Sequence, residues 1–195
     1  GPKALVWFKR DLRVRDHEPL AQAMQFERAA GLVVIEPEWL LSPECDPRHV
    51  GFFLDCVAAL QRDLATRGLP LLVHVGTAVQ VLHALQQAFP FTHVFSHEET
   101  GPGWSYTRDL AVAHWCRDQG VQWSELPQTG VVRRLRSRTG WAARWAMRML
   151  APEAAAPHGF KAPTGLHANA VPTMHQLGQP ALVATQPPGG ERAAW

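Results

Sequence analysis

The chain has 195 residues, of which 46% are hydrophobic and 18% charged, and its formal net charge is +2 at pH 7. This balance is typical of a folded globular domain and excludes disorder along the whole chain. Because no run of about 18 apolar residues occurs and the first residues lack the order of a signal peptide, we expect a cytoplasmic protein without a membrane partner.

Short apolar runs rich in β-formers alternate with stretches of helical spacing between residues 4 and 125. Short runs of this kind are typical of strands that are covered on both faces. The predicted strands are Leu5–Phe8, Leu32–Ile35, Leu71–Val75, His93–Phe95 and Val121–Trp123.

Capping residues mark the first two predicted helices. Asp16 is the expected N-cap of a helix that runs through Ala30 and ends at Gly31. Asp46 followed by Pro47 is the pattern that opens the second helix. The second helix carries an apolar stripe at steps of three or four residues, formed by Val50, Phe53, Val57, Leu60 and Leu64.

Two further helices are predicted in the second half of this region. Thr77 is the expected cap of a third helix, whose inward residues are Val81, Leu82, Leu85 and Phe89. Ser105 is the candidate cap of a fourth, which runs to Gly120 through Leu110 and Ala113.

Five strands alternating with four helices predict an α/β fold, because right-handed crossovers place successive helices on both faces of a parallel sheet. We expect a Rossmann-like, doubly wound sheet of order 3-2-1-4-5 with an irregular C-terminal extension. This order reverses between the first and fourth strands, so a crevice should open outside their carboxyl ends. The two loops there would bring cations opposite anions, namely Lys9, Arg10 and Arg13 opposite Glu98 and Glu99.

Several kinds of site are excluded or disfavoured by spacing. The chain has no GxxxxGKS/T loop, and the glycines at 101 and 103 do not continue into a dinucleotide fingerprint. No HExxH occurs among the ten histidines, and Cys45, Cys56 and Cys116 are odd in number and far apart, so we predict reduced thiols and no metal site. Of the adjacent Glu98 and Glu99, one is expected to contact a ligand or Arg10 while the other faces solvent.

Residues 131–150 carry six arginines, two tryptophans one helical turn apart and no acidic residue. Basic groups interleaved with aromatic rings can bind nucleic-acid phosphates and stack on bases. The alternative is that Trp141 and Trp145 dock this segment onto the sheet or a partner domain while the arginines stay solvated. The candidate nucleic-acid contacts are Arg133, Arg134, Arg136 and Arg138.

The composition changes near residue 150. Residues 151–195 contain 7 Pro, 5 Gly and 11 Ala, so proline and glycine together reach about a quarter of this segment. We therefore expect a folded domain over residues 1–150 and an interdomain connection over residues 151–195, poorly ordered unless it folds back on the domain.

The opening VWFKRDLRVRDH, residues 6–17, closely resembles the N-terminal signature of the DNA photolyase/cryptochrome family, where an asparagine usually stands at the position of His17. The likeness covers about residues 4–125. It continues in order at Glu36-Pro37, Arg48, Phe52, Leu60, Gly76, Glu98-Glu99 and Arg108-Asp109.

This resemblance implies an N-terminal domain that binds a light-harvesting antenna chromophore: a folate, a deazaflavin, a flavin or a lumazine. In the family the antenna passes excitation to an FAD held in a separate helical C-terminal domain, and photolyases use that FAD to repair pyrimidine dimers in DNA. The antenna contacts implied by the resemblance are Phe8, Lys9, Arg10, Asp11, Glu36, Pro37, Phe52, Glu98, Glu99 and Arg108.

The last residues, including GGERAA at 189–194, resemble the entry to the first helix of that FAD domain. We therefore expect an N-terminal piece of a larger flavoprotein, whose partners would be the FAD domain in cis and damaged DNA, and which alone has no catalytic residues. The residues that separate repair from signalling would lie downstream.

Two other functions stay open at this point. The domain would be a structural or interaction module if its crevice were empty of ligand and filled by Phe52 or Trp104. A stand-alone nucleotide-binding domain is the weaker alternative, because a glycine-rich phosphate loop is missing.

Overall fold

The computed structural model describes residues 1–128 and 156–180. Its centre is one five-stranded sheet in the order β3-β2-β1-β4-β5, with all four strand pairs parallel. This confirms the predicted α/β class and strand order. The strands are β1 Lys3–Phe8, β2 Arg28–Ile35, β3 Leu71–Val75, β4 His93–His97 and β5 Gln122–Leu126.

Helices and loops cover both faces of the sheet. Within the described residues the helices are α1 Glu18–Ala23, α2 Pro37–Leu40, α3 Pro47–Thr66, α4 Ala78–Ala88 and α5 Gly103–Gln119, and a 3₁₀ turn lies at His175–Leu177. Since side chains alternate along a strand, Val6 and Phe8 of β1 enter the core beneath α1 and α3, whereas Leu5 and Trp7 enter the core beneath α4 and α5.

The prediction for the first helix was wrong. Asp16 adopts a left-handed φ of 49°, and the N-cap is His17, whose Nδ1 accepts a 3.1 Å hydrogen bond from the Leu20 amide. Gly31 lies inside β2 and does not end a helix. The apolar run RAAGLVVI is a buried parallel strand, a pattern that periodicity alone does not separate from a buried helix.

The N-caps predicted for the second and third helices are confirmed, whereas that of the fourth is wrong. Asp46 caps α3 through a 3.0 Å bond from the His49 amide, and Thr77 caps α4. Helix α5 begins two residues before Ser105, whose hydroxyl donates back to the Pro102 carbonyl, so Ser105 is not the cap. Leu110 is exposed on that helix, which buries Val112, Trp115 and Cys116 instead.

Residues 156–180, here called the docking segment, fold back against α3 and the edge strand β3. Phe160 and Ala156 join the core beneath α3, and the amides of Gly159 and Phe160 donate to the Arg67 carbonyl at 2.9 Å each. The amide side chain of Asn169 bonds both the N–H and the carbonyl of Val73, as a neighbouring strand would. Residues 156–180 therefore pack closely against the rest of the described chain.

Some predictions fall outside the described residues. These are the boundary at residue 150, the chain end at 189–195, Trp141, Trp145, Arg133, Arg134, Arg136 and Arg138. Within residues 1–128 and 156–180, none of the helices combines the length and apolarity that crossing a bilayer requires. The three cysteines are free thiols.

Candidate functional site

A cavity of about 570 Å³ opens at the carboxyl ends of the central strands, where the sequence predicted a crevice. The loop after β1 and the start of α5 form two of its walls. Helices α2 and α3 supply a third wall, which the strand-order argument did not predict. Its lining residues are Trp7, Lys9, Arg10, Asp11, Leu12, Arg13, Val34, Glu36, Trp39, Glu44, His49, Phe52, Phe53, Cys56, Glu99, Trp104 and Arg108.

Aromatic rings give the cavity its apolar surfaces. Trp39 of α2 packs on Phe53 of α3 with ring centroids 4.7 Å apart, and Phe52 lies beside them in the same lining. Trp104 stands on α5, in the same lining. Flat surfaces of this kind suit a planar ligand, because stacked rings bury large apolar areas.

Arg108 is the centre of a buried ionic cluster at this site. Its Nη1 donates to Glu36 Oε1 at 2.5 Å, its Nη2 bonds Glu99, and its Nε donates to Asp109 Oδ1 at 2.8 Å. Burial alone would lower the pKa of Arg108, but the three neighbouring carboxylates together raise it. The guanidinium also lies 5.0 Å from the Trp7 ring centroid and 5.4 Å from that of Trp104.

Two further cations complete the cluster. Lys9 Nζ lies 3.3 Å from Asp109 Oδ1 and 3.9 Å from Glu99 Oε1, and it sits 4.4 Å from the centroid of the Trp7 ring. Arg10 Nε lies 3.5 Å from Glu99 Oε2, and its side chain is 51% exposed. Because Lys9 is buried and Arg10 is not, Arg10 is free to turn toward a charged ligand group at low cost.

Glu36 is the carboxyl group of the cavity whose pKa is raised most strongly. Its side chain is 7% exposed, and burial raises its pKa to about 7 although Arg108 opposes that rise. Among the described residues, its second oxygen, Oε2, is buried without a hydrogen-bond partner, and so is the indole Nε1 of Trp104.

Behind the loop after β1 lies a buried triad formed by Asp11, His17 and His97. Asp11 Oδ2 is 2.6 Å from His17 Nε2 and 2.7 Å from His97 Nδ1, while its Oδ1 accepts from the Lys9 amide at 2.8 Å. Burial would raise the pKa of Asp11, but the two imidazoles hold it well below its usual range. The triad therefore fixes the backbone of the loop that carries Lys9 and Arg10.

The same three residues are the group in the described chain whose side chains could surround a metal ion. Their N···O separations are hydrogen-bond lengths, however, so Asp11 pairs with both rings, while His97 Nε2 is buried without a hydrogen-bond partner among the described residues. Sequence spacing missed this triad because its members come from three different elements.

The structure brings most of the predicted antenna contacts together. Those that line the cavity are Lys9, Arg10, Asp11, Glu36, Phe52, Glu99 and Arg108. The members absent from the lining are Phe8, Pro37 and Glu98. Phe8 points into the core because alternation along β1 turns it away, and Pro37 is exposed at the start of α2.

Of the adjacent Glu98 and Glu99, Glu99 lines the cavity and Glu98 does not. Glu99 contacts Arg10 and Arg108, whereas the Glu98 backbone amide continues the sheet by donating to Leu126 at 2.8 Å. Trp39 and Phe53 were not among the predicted site residues, and Trp104 was predicted only as a filler of the crevice. The adjacent Phe52 and Phe53 on a helix were the available signal, since a helix rarely buries both in its own core.

Comparison with known proteins places this geometry in context. The family model described as DNA photolyase matches residues 4–144. A cryptochrome DASH of Oryza sativa subsp. japonica is 28% identical over 138 residues, which cover 67% of this chain and 23% of the relative. The chain therefore spans about a quarter of the length of that relative.

Solved structures share the fold at low identity. The cryptochrome of Synechocystis sp. PCC6803 superposes with a TM-score of 0.72 at 19% identity, over 99% of this chain and 44% of that one. An archaeal photolyase from Sulfolobus tokodaii, described with two FAD molecules and a novel light-harvesting cofactor, gives a TM-score of 0.57 at 22% identity, over 67% of this chain and 30% of that one.

Proposed function

Because the chain belongs to the DNA photolyase family, we propose that its cavity binds the antenna chromophore of a photolyase or cryptochrome-like flavoprotein. Flavin and antenna-chromophore binding are general properties of this family. The observation that supports the proposal most is an open cavity of about 570 Å³ with aromatic walls and a charged wall, at the reversal of strand order.

The shape and charge of the cavity suit a flat heterocycle with a polar tail. Trp39, Phe52 and Trp104 offer surfaces for the ring, and the buried ionic cluster offers hydrogen-bonding groups for its edge. The exposed Arg10 is placed to meet a phosphate or carboxylate of the tail. Folate, deazaflavin, flavin and lumazine chromophores all have this combination of ring and tail.

In this proposal the chain binds its chromophore without covalent chemistry and contributes no catalytic residue. The whole protein would pass excitation from the antenna to an FAD in a helical domain and use it for pyrimidine-dimer repair or for signalling. Its partners would be that FAD domain in cis and damaged DNA.

A structural domain with a filled crevice is the second function considered above. Phe52 and Trp104 line an open cavity here and do not fill it, which favours a binding role. The test below separates the two functions directly.

Fluorescence and absorption titrations of the purified chain with one member of each chromophore class test the proposal. We expect one class to bind with a shifted near-ultraviolet or blue band. Phe52→Ala should weaken that binding about tenfold through the lost ring contact. If all four classes bind no better than to an unrelated protein of similar size, the proposal is wrong for this chain.

Two arginines of one loop provide a matched pair of variants. Arg10 lines the cavity, whereas Arg15 is exposed and does not line it. We expect Arg10→Ala to weaken chromophore binding about threefold to tenfold and Arg15→Ala to leave it unchanged. Equal losses in both variants would indicate a diffuse charge effect instead of a contact.

A further inference from the structure

Two buried polar atoms of opposite hydrogen-bonding character belong to residues that line the cavity. Glu36 Oε2 is an acceptor when the carboxyl group is ionised, and Trp104 Nε1–H is a donor only. Within residues 1–128 and 156–180, neither atom has a hydrogen-bond partner. Buried polar atoms are nearly always paired, so each of these needs a physical reason.

Both residues lie beside the same guanidinium. Arg108 holds the other oxygen of Glu36 at 2.5 Å and stacks 5.4 Å from the centroid of the Trp104 ring. Glu36 and Trp104 therefore flank one guanidinium, and both belong to the lining of one cavity. Leaving such groups unpaired costs about 1–3 kcal/mol each, which a ligand that paired them would recover.

The surrounding charged groups already have partners within the chain. Three cations, Arg108, Lys9 and Arg10, contact three carboxylates, those of Glu36, Glu99 and Asp109. The buried wall therefore has one hydrogen-bond acceptor and one donor without partners, while its ionic charges balance. This combination fits the edge of a neutral ring better than it fits a phosphate.

We propose that Glu36 and Trp104 recognise the edge of the bound ring, with Glu36 accepting a ring N–H and Trp104 donating to the neighbouring carbonyl oxygen. The inference rests on the proposed function and specifies which edge of the chromophore enters the wall. Flavins, deazaflavins, lumazines and pterins share such an edge, an N–H beside a carbonyl in a pyrimidine ring. The ring edge faces the buried wall, and the tail extends toward the exposed Arg10.

An N-methylated analogue tests this edge directly. The chromophore that binds most tightly in the titrations is compared with its analogue methylated at that ring nitrogen. We expect methylation to weaken binding to the wild-type chain at least about tenfold, because the N–H is lost and the methyl group collides with Glu36. Equal affinity for the two ligands would overturn the inference while leaving the proposed function intact.

Glu36→Gln tests whether Glu36 is the acceptor. Glutamine keeps one oxygen for Arg108 and replaces Oε2 by an NH₂ donor. The affinity for the unmethylated chromophore should fall about tenfold, and the penalty for methylation should shrink to about twofold or less. If methylation weakens binding to this variant as much as to the wild-type chain, another group accepts the hydrogen bond from the ring N–H, and the assignment of Glu36 as the acceptor is overturned.

Trp104→Phe removes the indole N–H and keeps an aromatic wall. We expect it to weaken chromophore binding about threefold to tenfold, whereas the same substitution at Trp115, which does not line the cavity and whose indole donates to His83 at 3.2 Å, should leave affinity unchanged. Equal effects at the two positions would remove Trp104 from the pair. If neither the chromophores nor their analogues bind the wild-type chain, the proposed function fails and this inference falls with it.

Discussion

The cavity wall and the docking segment both bury polar groups, but they differ in whether the chain itself supplies the hydrogen-bond partners. In the docking segment the chain pairs these groups with its own atoms. The side chain of Asn169 bonds both the backbone N–H and the backbone carbonyl of Val73. The backbone carbonyl of Asn169 accepts a 2.7 Å hydrogen bond from the Gln61 side chain. Arg67 there bonds Asp63 and the carbonyls of Ala156 and Pro157.

Ion pairs connect the side chains of the cavity wall, but some of its buried polar atoms have no hydrogen-bond partner. Arg108 bridges three carboxylates, yet Glu36 Oε2 and Trp104 Nε1 have no partner among the described residues. The docking segment thus pairs its polar groups within the chain, whereas the unpaired atoms of the cavity wall are the ones that the proposed ligand would pair. Each prediction below changes one side of this comparison.

Removing Arg108 should have the largest effect. Arg108→Ala leaves the buried carboxylates of Glu36, Glu99 and Asp109 without their shared cation. We expect the free energy of unfolding to fall by about 3–5 kcal/mol, as for other buried ion pairs that lose one partner. Urea unfolding measures this, with Arg10→Ala, a half-exposed partner of Glu99, as a control that loses less than about 1 kcal/mol.

Gly68→Ala should instead disturb the packing of the docking segment against the end of α3. Gly68 has φ of 88°, and an added Cβ would lie 2.4 Å from the Phe160 carbonyl oxygen. We expect a loss of about 1–3 kcal/mol with chromophore affinity unchanged. Gly120→Ala is the matched control, because φ is 69° but nothing lies within 4 Å, so it should cost only about 1 kcal/mol. Equal losses for the two would show that Phe160 does not press on Gly68.

The Asp11 triad should make the domain sensitive to acid. Burial lowers the pKa of His17 below 6.5, so the unfolded chain binds a proton there that the native chain does not. The contribution of His17 to the free energy of unfolding is therefore lost as pH falls below about 6.5. The pKa of Asp11 is also lowered, so its contribution is lost as pH falls below about 4. Glu36 acts in the opposite direction, because burial raises its pKa from 4.5 to about 7 and the native chain therefore gains a proton there before the unfolded chain does as pH falls.

His17→Asn isolates the histidine contribution, since asparagine can still cap α1 and does not titrate. Between pH 7 and pH 5 the wild-type chain should lose on the order of 1 kcal/mol more than this variant. Urea unfolding at the two pH values measures the difference. A wild-type chain that loses no more than His17→Asn would contradict the role of the triad.

The smallest expected effect is the pH dependence of chromophore binding. Glu36 has a pKa of about 7, set by burial and by the charges of Arg108, Glu38, Glu99 and Lys9. Because a ring N–H needs the ionised carboxylate, affinity for an uncharged chromophore should fall several-fold as pH drops from 8 to 6, and Glu36→Gln should abolish that fall. Affinity that rises on acidification would mean that Glu36 donates to a ring oxygen instead.

The sheet could be predicted from the sequence because its strands are short apolar runs separated by well-capped helices. The first helix could not, since an Ala- and Gly-containing buried strand has no period that separates it from a helix. The crevice followed from the strand order, but its third wall did not, because Trp39 and Phe53 reach it through the packing of α2 on α3. The Asp11 triad joins residues up to 86 positions apart and has no local signal.

The indole N–H signals in a ¹H–¹⁵N correlation spectrum test the central claim most directly. On saturation with the best-binding chromophore, the Trp104 signal should shift as its N–H gains an acceptor. The signals of Trp115 and Trp123 should stay in place, since their indoles already donate to His83 at 3.2 Å and Ser96 at 2.9 Å. A Trp104 signal that does not move while the chromophore is fully bound would contradict this account of the cavity.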